Sequence, residues 1–212
     1  MSRLPFESAR FWNKIAEKYA AKPVKDEAAY KQTLDLTRAR LNADDVVLEL
    51  GAGTGTTAFK LAPNVARYTA SDIAENMMAI GQRKAEAAGA ENVSFVTAGV
   101  GDAALGAPGA YDAVIAFSLL HLIDGLEEAV RGIADLIKPG GYFISKSVCL
   151  NDKPGVYGII IPIMRFFGQA PFVRFLKASE LEDIIADAGF EILETGDYPE
   201  SPRNHFVVAR KK

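Results

Sequence analysis

The fold of this chain is determined by one stretch, Val46-Val47-Leu48-Glu49-Leu50-Gly51-Ala52-Gly53-Thr54-Gly55-Thr56-Thr57. Its apolar run is of strand length and stops at three glycines on alternate positions, and helix-compatible residues then follow until Pro63. This pattern predicts a buried strand, a tight turn and a helix that begins under the turn. Glycine suits such a turn because it adopts positive φ at little cost and lets a ligand lie on the backbone. The helix N-terminus adds unpaired N–H groups and partial positive charge, so the stretch predicts a ligand-binding loop.

Two carboxylates narrow the class of ligand. Glu49 stands at the end of the strand, two residues before Gly51, where it would repel a pyrophosphate and attract the α-ammonium of an amino acid. Asp72 follows the next apolar run, Val65 to Ser71, and comes 21 residues after Gly51. That spacing is typical of an acidic residue on the second strand that holds ribose hydroxyls. The residues therefore predict an adenosine that carries an amino-acid end.

At these positions the chain resembles the class I S-adenosylmethionine-dependent methyltransferases. The resemblance rests on three motifs in order, Glu49-Leu50-Gly51-Ala52-Gly53-Thr54-Gly55, Ser71-Asp72-Ile73-Ala74-Glu75-Asn76-Met77-Met78 and Lys138-Pro139-Gly140-Gly141. It covers residues 44–150 well and the two ends more loosely. It implies S-adenosyl-L-methionine as cofactor and a Rossmann-like methyltransferase fold, which is an α/β fold.

The alternation of strand and helix patterns predicts a doubly wound, mostly parallel seven-stranded sheet with helices on both faces. Two consecutive C-terminal strands without a crossover helix predict an antiparallel hairpin. Strands are expected near 45–50, 66–71, 93–97, 111–117, 141–149, 190–195 and 206–209, and helices near 6–22, 25–41, 55–62, 74–89, 125–137 and 178–188 with an N-cap at Ser179 or a neighbour. We expect one domain, residues 1–212, made of a helical cap (1–43), a cofactor-binding core (44–150), an insertion or lid (151–178) and a C-terminal helix and hairpin (179–212).

Most of the residues predicted for the site are expected to bind the cofactor. The residues assigned to this role are Trp12, Tyr19, Glu49, Gly51, Ala52, Gly53, Thr54, Gly55, Asp72, Ile73, Met77, Gly99, Val100, Phe117 and Ser118. The resemblance places an adenine contact just after the third strand, where either Val100 or Asp102 fits the register. Asp102 has an alternative role as a solvated helix-start residue. Trp12 and Tyr19 have an alternative role in packing the N-terminal helices onto the sheet.

The expected reaction is in-line displacement at a sulfonium, for which the protein supplies alignment and a dry site. Tyr19 and His121 are the candidate catalytic residues. Tyr19 would face the sulfonium through a cation–π contact or take a proton from the acceptor. His121 is the only histidine near the site, and the alternative is that it packs or caps the segment after the fourth strand.

Composition restricts the partners. The net charge is −3, so nucleic acid is not expected as a substrate. The single cysteine, Cys149, excludes an internal disulfide and a thiolate metal cluster, and no metal is expected. The N-terminus has no apolar signal core, and the apolar run Ile159–Phe167 falls short of the ~20 residues that span a bilayer. We therefore expect a cytoplasmic protein with a small-molecule acceptor and no membrane partner.

The apolar and aromatic content of residues 151–178 predicts a lid or a homodimer face, with an ordinary core helix as the alternative. Two other functions stay open for the whole chain. The first is a binding protein that keeps S-adenosylmethionine but lacks catalysis. The second is a nicotinamide-dependent oxidoreductase, whose pyrophosphate would have to tolerate Glu49. The glycine motif of such oxidoreductases has two residues between its second and third glycines. In this chain only one residue, Thr54, separates Gly53 from Gly55.

Overall fold

The structure is a computed structural model that describes residues 4–152, 164, 170–201 and 203–212. Two helices come first, α1 (Leu4–Ala20) and α2 (Glu27–Arg38). The central part then alternates as β1 (Val46–Leu50), α3 (Ala58–Leu61), β2 (Arg67–Asp72), α4 (Glu75–Ala88), β3 (Val93–Thr97), β4 (Tyr111–Phe117), α5 (Leu126–Leu136) and β5 (Ile137–Val148). The chain ends with α6 (Ala178–Asp187), β6 (Phe190–Asp197) and β7 (Asn204–Lys211).

In the described residues the strands form one seven-stranded sheet in the order β3-β2-β1-β4-β5-β7-β6. The first five strands run parallel, and β7 pairs antiparallel with both β5 and β6. The predicted sheet and its terminal hairpin are confirmed. The strand order reverses at β1, which lies between β2 and β4, so a ligand is expected beyond the carboxyl end of β1.

Both faces of the sheet are covered, which explains the continuous apolar runs in the central strands. In β1 the side chains alternate, and Val47 packs under α1 to α4 while Leu48 packs under α5 and α6. The two cores share β1 and β4 at their centre. This arrangement fixes the ends of these strands, where the site lies.

Two local elements differ from the prediction. The helix after the glycine loop, predicted near 55–62, is only Ala58–Leu61, and a 3₁₀ turn, Ala62–Asn64, follows it at Pro63. The fifth strand, predicted near 141–149, begins earlier, at Ile137, and the segment 138–141 is an irregular part of it, because Ile137 pairs with Tyr111 and Tyr142 with Ala113. Local sequence could not show that the long β5 begins directly after α5.

The C-terminal helix begins at Ala178, close to the predicted start, and its N-cap is Lys177, two residues before Ser179. The apolar run Ile159–Phe167, predicted as a lid or a dimer face, lies outside the described residues except for Met164.

In the described part of the chain, no helix is long and apolar enough to cross a membrane.

A first testable prediction concerns the contact between α4 and β3. A Cβ added to Gly81 would lie 2.2 Å from Cε1 of Phe95. We expect Gly81→Ala to lower the free energy of unfolding by about 1–3 kcal/mol, measured by urea denaturation, because this packing leaves no room for a methyl group.

The matched control is Gly132→Ala in α5, where an added Cβ meets no atom within 4 Å. This variant should match the wild type or gain up to about 1 kcal/mol from the higher helix propensity of alanine. Equal stability of the two variants would contradict the close α4–β3 contact.

Candidate active site

Three glycines give the loop after β1 its backbone conformation. Gly51, Gly53 and Gly55 all have positive φ, at +67°, +55° and +78°. The N–H of Ala52 donates to the Ser71 carbonyl (2.9 Å), which ties the loop to the end of β2. The turn therefore has the backbone conformation that the glycine pattern predicts, and it lies at the switch point of the sheet.

Asp72 holds this loop against β2. Its Oδ2 accepts the N–H of Gly53 (3.0 Å), and its Oδ1 accepts the N–H of Ala74 (2.9 Å). Burial raises the pKa of Asp72, and the backbone N–H groups oppose this rise. The carboxylate is thus fixed at the end of β2, on the same edge of the sheet as the glycine loop.

Glu49 lies under the loop and is only 3% exposed. Its Oε2 accepts a hydrogen bond from the Tyr68 hydroxyl (2.9 Å). Burial raises the pKa of Glu49 to about 8, and the hydrogen bond from Tyr68 offsets this only in part. A carboxyl with such a pKa is mostly protonated at neutral pH and ionises when a cation approaches.

A cavity of about 780 Å³ opens at these strand ends. It is lined by twelve of the sixteen residues predicted for the site: Trp12, Tyr19, Gly51, Gly53, Asp72, Ile73, Met77, Gly99, Val100, Phe117, Ser118 and His121. The fold thus brings together residues from α1, the glycine loop, the ends of β2, β3 and β4, and the segment after β4.

The other four predicted residues are not part of the cavity wall. Glu49 and Ala52 are buried beneath the loop. The Thr54 hydroxyl accepts a hydrogen bond from Lys84 (3.1 Å), and Gly55 faces the Phe95 ring, 2.7 Å from where its Cβ would lie. These residues shape the loop, and their direct contact with a cofactor stays a prediction.

The sequence left two candidates for the adenine contact after β3, Val100 and Asp102. Val100 lines the cavity. Asp102 is exposed, and its Oδ1 accepts the N–H of Ala104 (2.9 Å), so it caps a short 3₁₀ turn. The structure therefore agrees with an apolar wall at Val100 and a capping role for Asp102.

Sequence reasoning missed thirteen residues of the cavity wall. Eight of them belong to the segment 119–132, and the complete set is Ser8, Leu50, Ala98, Gly101, Leu119, Leu122, Ile123, Asp124, Gly125, Glu128, Ala129, Gly132 and Pro171. This segment folds back over the site through the 3₁₀ turn Leu120–Leu122. The sequence offered one indication of this part of the wall, because Leu119 directly follows Ser118, which was predicted for the site. No local pattern shows which face of α5 borders the cavity.

Ser118 is strained. Among the described residues it is the one non-glycine residue with positive φ, at +56°. Its N–H donates to the Lys146 carbonyl (2.6 Å), which holds the exit of β4 against β5. Strained backbone of this kind tends to occur at functional sites.

Tyr19 covers the glycine loop. A Cβ on Gly53 would lie 3.4 Å from the Tyr19 ring, and the Trp12 ring meets Tyr19 edge-on at 6.0 Å. Burial and the charges of Asp72 and Glu49 raise the pKa of Tyr19. The phenol is therefore neutral at physiological pH, which favours a ring or hydrogen-bond contact over a base role.

His121 is buried in the cavity wall, and its Nδ1 has no hydrogen-bond partner among the described residues. Burial lowers the pKa of His121 to about 4. The imidazole is thus neutral at pH 7. It can accept a hydrogen bond from a ligand, but a base with so low a pKa deprotonates an acceptor poorly.

A second prediction follows for the titration of this histidine. Observed by NMR through its ring carbon-bound protons, His121 should titrate near pH 4, well below the ordinary value of about 6.5. Because the unfolded chain binds the proton first, this group destabilises the fold as the pH falls from about 6.5 towards 4. The spectrum of His205→Gln assigns the remaining signal to His121. Titration of that signal near pH 6.5 would show that the side chain is hydrated.

The site fits an adenosyl amino acid. The positive-φ glycines leave the backbone open to a ligand, Asp72 places a fixed carboxylate in the cavity wall, and Ile73 and Val100 add apolar side chains to that wall. The described residues hold no cluster of histidine, cysteine and carboxylate side chains that suits a metal ion. Fold and site together define an adenosyl-binding protein with the sheet of a Rossmann-like methyltransferase.

Comparison with known proteins agrees with this class. Residues 48–143 match the family model of a methyltransferase domain. A ubiquinone biosynthesis O-methyltransferase of Chromobacterium violaceum is 30% identical over 147 residues, which cover 68% of this chain and 63% of that protein. The chain covers 63% to 64% of the length of the first curated relatives that it matches.

Solved structures share the fold. The 1,6-didemethyltoxoflavin-N1-methyltransferase of Burkholderia thailandensis, solved with its acceptor and S-adenosylhomocysteine, has a TM-score of 0.74 at 22% identity and covers 100% of this chain and 91% of that one. The cyclase SpnF has a TM-score of 0.69 at 21% identity, with 85% and 80% coverage. This chain carries a methyltransferase domain with the fold of the class I S-adenosylmethionine-dependent methyltransferases.

Proposed function

We propose that this protein transfers the methyl group of S-adenosyl-L-methionine to a small apolar or aromatic acceptor, at an oxygen or nitrogen atom. The observation that carries the proposal is the single cavity wall shared by the glycine loop, Asp72 and the apolar residues Trp12 and Phe117. One part of this wall suits the adenosyl cofactor, and the other offers room for an acceptor beside it.

The cofactor would be held from three sides. Asp72 takes the ribose hydroxyls, Ile73 and Val100 enclose the adenine, and Glu49 attracts the amino-acid end from beneath the loop. The cofactor supplies an activated methyl group on a sulfonium, which needs no acid to leave. The chain's own residues therefore act mainly by alignment and by exclusion of water.

Tyr19 is proposed to face the reacting centre. Its ring lies over Gly53 and is supported by Trp12, so it can stabilise positive charge through its π-face. His121 is proposed to position the acceptor through its unpaired Nδ1. Deprotonation by either group is disfavoured by its pKa, so an acceptor that is already ionised or intrinsically nucleophilic fits best.

The proposed class of acceptor rests on the side chains of the cavity wall and on the names of similar proteins. The names of two similar proteins, an O-methyltransferase and an N1-methyltransferase, give an oxygen and a nitrogen as the methylated atoms. The wall near β4 carries Phe117, Leu119 and Leu122, which suit a flat apolar molecule. Homodimer formation through residues 151–178 remains a prediction, because much of that segment lies outside the described residues.

The test is a panel of catechols, phenols and heteroaromatic amines, with release of S-adenosylhomocysteine as the readout. The matched control is Asp72→Asn, which keeps an oxygen for only one of the two N–H groups, of Gly53 and Ala74, that Asp72 accepts, and loses the charge proposed to hold the ribose. We expect at least one acceptor to give turnover with wild-type protein and a much higher KM for the cofactor with the variant.

One alternative class is retained because the cyclase SpnF shares this fold. A protein that binds the cofactor without transferring its methyl group would show tight binding of S-adenosylmethionine by calorimetry and no turnover with any acceptor. Absence of cofactor binding would reject both hypotheses. Binding of NADH in its place would favour the oxidoreductase.

A further inference from the structure

Lys146 is a buried lysine whose ammonium has few polar partners in the described part of the chain. It lies near the carboxyl end of β5, and the residue is only 9% exposed. Its Nζ donates one hydrogen bond, to Oγ1 of Thr33 in α2 (3.1 Å). Within the described ranges, the ammonium forms no ion pair with an acidic side chain. Two of its three N–H donors are left without a protein partner there.

Aromatic rings surround the ammonium. Nζ lies 5.9 Å from the centroid of the Tyr30 ring and 5.7 Å from that of Phe117. The faces of such rings attract a cation but replace only part of its lost hydration. Burial accordingly lowers the pKa of Lys146, and the charge of Asp26 opposes this effect only in part.

The surroundings of Lys146 connect it to the active-site cavity. Phe117, which packs beside the ammonium, also lines the cavity. The Lys146 carbonyl accepts the N–H of the strained Ser118, another wall residue. On its other side, Tyr30 forms a hydrogen bond with Thr57 at the foot of the glycine loop (3.1 Å). Lys146 does not itself line the cavity, but its ammonium lies beside the wall residue Phe117 and its carbonyl holds the wall residue Ser118, so it borders the site.

We propose that Lys146 binds the carboxylate of a ligand in this cavity. The inference rests on the proposed function and narrows its ligands. Two sources of the carboxylate fit, the α-carboxylate of the cofactor and an acid group on the acceptor. In either case the ligand supplies the anion that the protein lacks, and the aromatic rings exclude water from the pair, which strengthens it.

The experiment compares Lys146→Met and Lys146→Arg with wild-type protein by calorimetry. Methionine replaces the buried ammonium by an apolar chain of similar length, which the core should tolerate. One arm titrates S-adenosylhomocysteine and its decarboxylated analogue. The other arm titrates benzoate and the neutral benzamide into protein saturated with S-adenosylhomocysteine. The control is Lys211→Met, because that ammonium binds the carbonyls of Ala134 and Ile137 at the opposite end of the sheet.

If the cofactor supplies the anion, Lys146→Met binds S-adenosylhomocysteine about 10- to 100-fold more weakly, while the decarboxylated analogue binds equally to both proteins. If the acceptor supplies it, cofactor binding is unchanged, and benzoate binding is lost in the methionine variant. In both cases Lys146→Arg retains part of the affinity and Lys211→Met retains all of it.

Unchanged binding of every ligand by Lys146→Met would overturn this inference and leave the methyltransferase proposal intact. An equal loss for the carboxylate ligand and its neutral counterpart would also overturn it, because the lysine would then act on shape alone. Failure of wild-type protein to bind S-adenosylhomocysteine would instead reject the proposed function, and this inference with it.

Discussion

Replacement of Gly53 by valine is expected to weaken binding of S-adenosylhomocysteine by at least roughly 100-fold, equivalent to about 2.7 kcal/mol. Gly53 has a φ of +55°, and its Cα faces the Tyr19 ring across a gap that a single Cβ would nearly fill, at 3.4 Å. A branched side chain would occupy the space in which the cofactor must lie against the loop. Isothermal titration calorimetry measures the effect directly.

The matched control for this variant is Gly109→Val. Gly109 also has positive φ, at +69°, but an added Cβ there meets no atom within 4 Å, and the residue is outside the cavity wall. Both variants should lose a similar amount of stability, about 1–2 kcal/mol, because valine is strained at positive φ. Only Gly53→Val should lose binding. A Gly53→Val protein that binds the cofactor normally would falsify the placement of the cofactor on this loop.

The second large effect is expected from Glu49, through the pH dependence of stability and of binding. Its folded pKa of about 8 exceeds the ordinary value of 4.5. The folded protein therefore retains a proton that the unfolded chain releases between these values, so stability falls as the pH rises through this range. The loss amounts to roughly 5 kcal/mol in all, of which about 1 kcal/mol falls between pH 7 and pH 9.

The window from pH 7 to pH 9 is informative because His121 stays neutral throughout it. Urea denaturation should show wild-type protein losing stability there. Glu49→Gln should lose clearly less, because the amide resembles the protonated carboxyl. The exposed Glu86→Gln should behave as wild type. A flat profile for wild-type protein would mean that Glu49 is ionised and solvated at neutral pH.

Cofactor binding should reverse the protonation of Glu49. The ammonium of S-adenosylhomocysteine favours the ionised carboxylate, so binding at pH 7 should release close to one proton. Calorimetry in phosphate and in Tris then gives different heats, and the affinity rises with pH between pH 6 and pH 7.5. In Glu49→Gln the proton release should vanish and the affinity should fall. Identical heats in both buffers would show that the ammonium lies away from Glu49.

Much of the site could be predicted because its residues sit at the ends of recognisable strands. Gly51, Gly53 and Asp72 follow apolar runs directly, and parallel strands bring their carboxyl ends to one edge of the sheet. Thr54 and Gly55 fit the same motif, yet their side of the loop faces Lys84 and Phe95. A motif specifies the turn, whereas packing decides which of its atoms face the ligand.

The sequence by itself determined the strand–loop–helix cradle, the parallel core and the antiparallel hairpin, because periodicity and glycine positions are local properties of the chain. Only the tertiary structure decided that residues 119–132 complete the cavity wall and that burial raises the pKa of Glu49 to about 8. It also decided that Lys146 is buried and forms no ion pair in the described part of the chain. Burial and the electrostatic field depend on which distant elements pack together, here α2 and β4 against β5, and no local pattern records that contact.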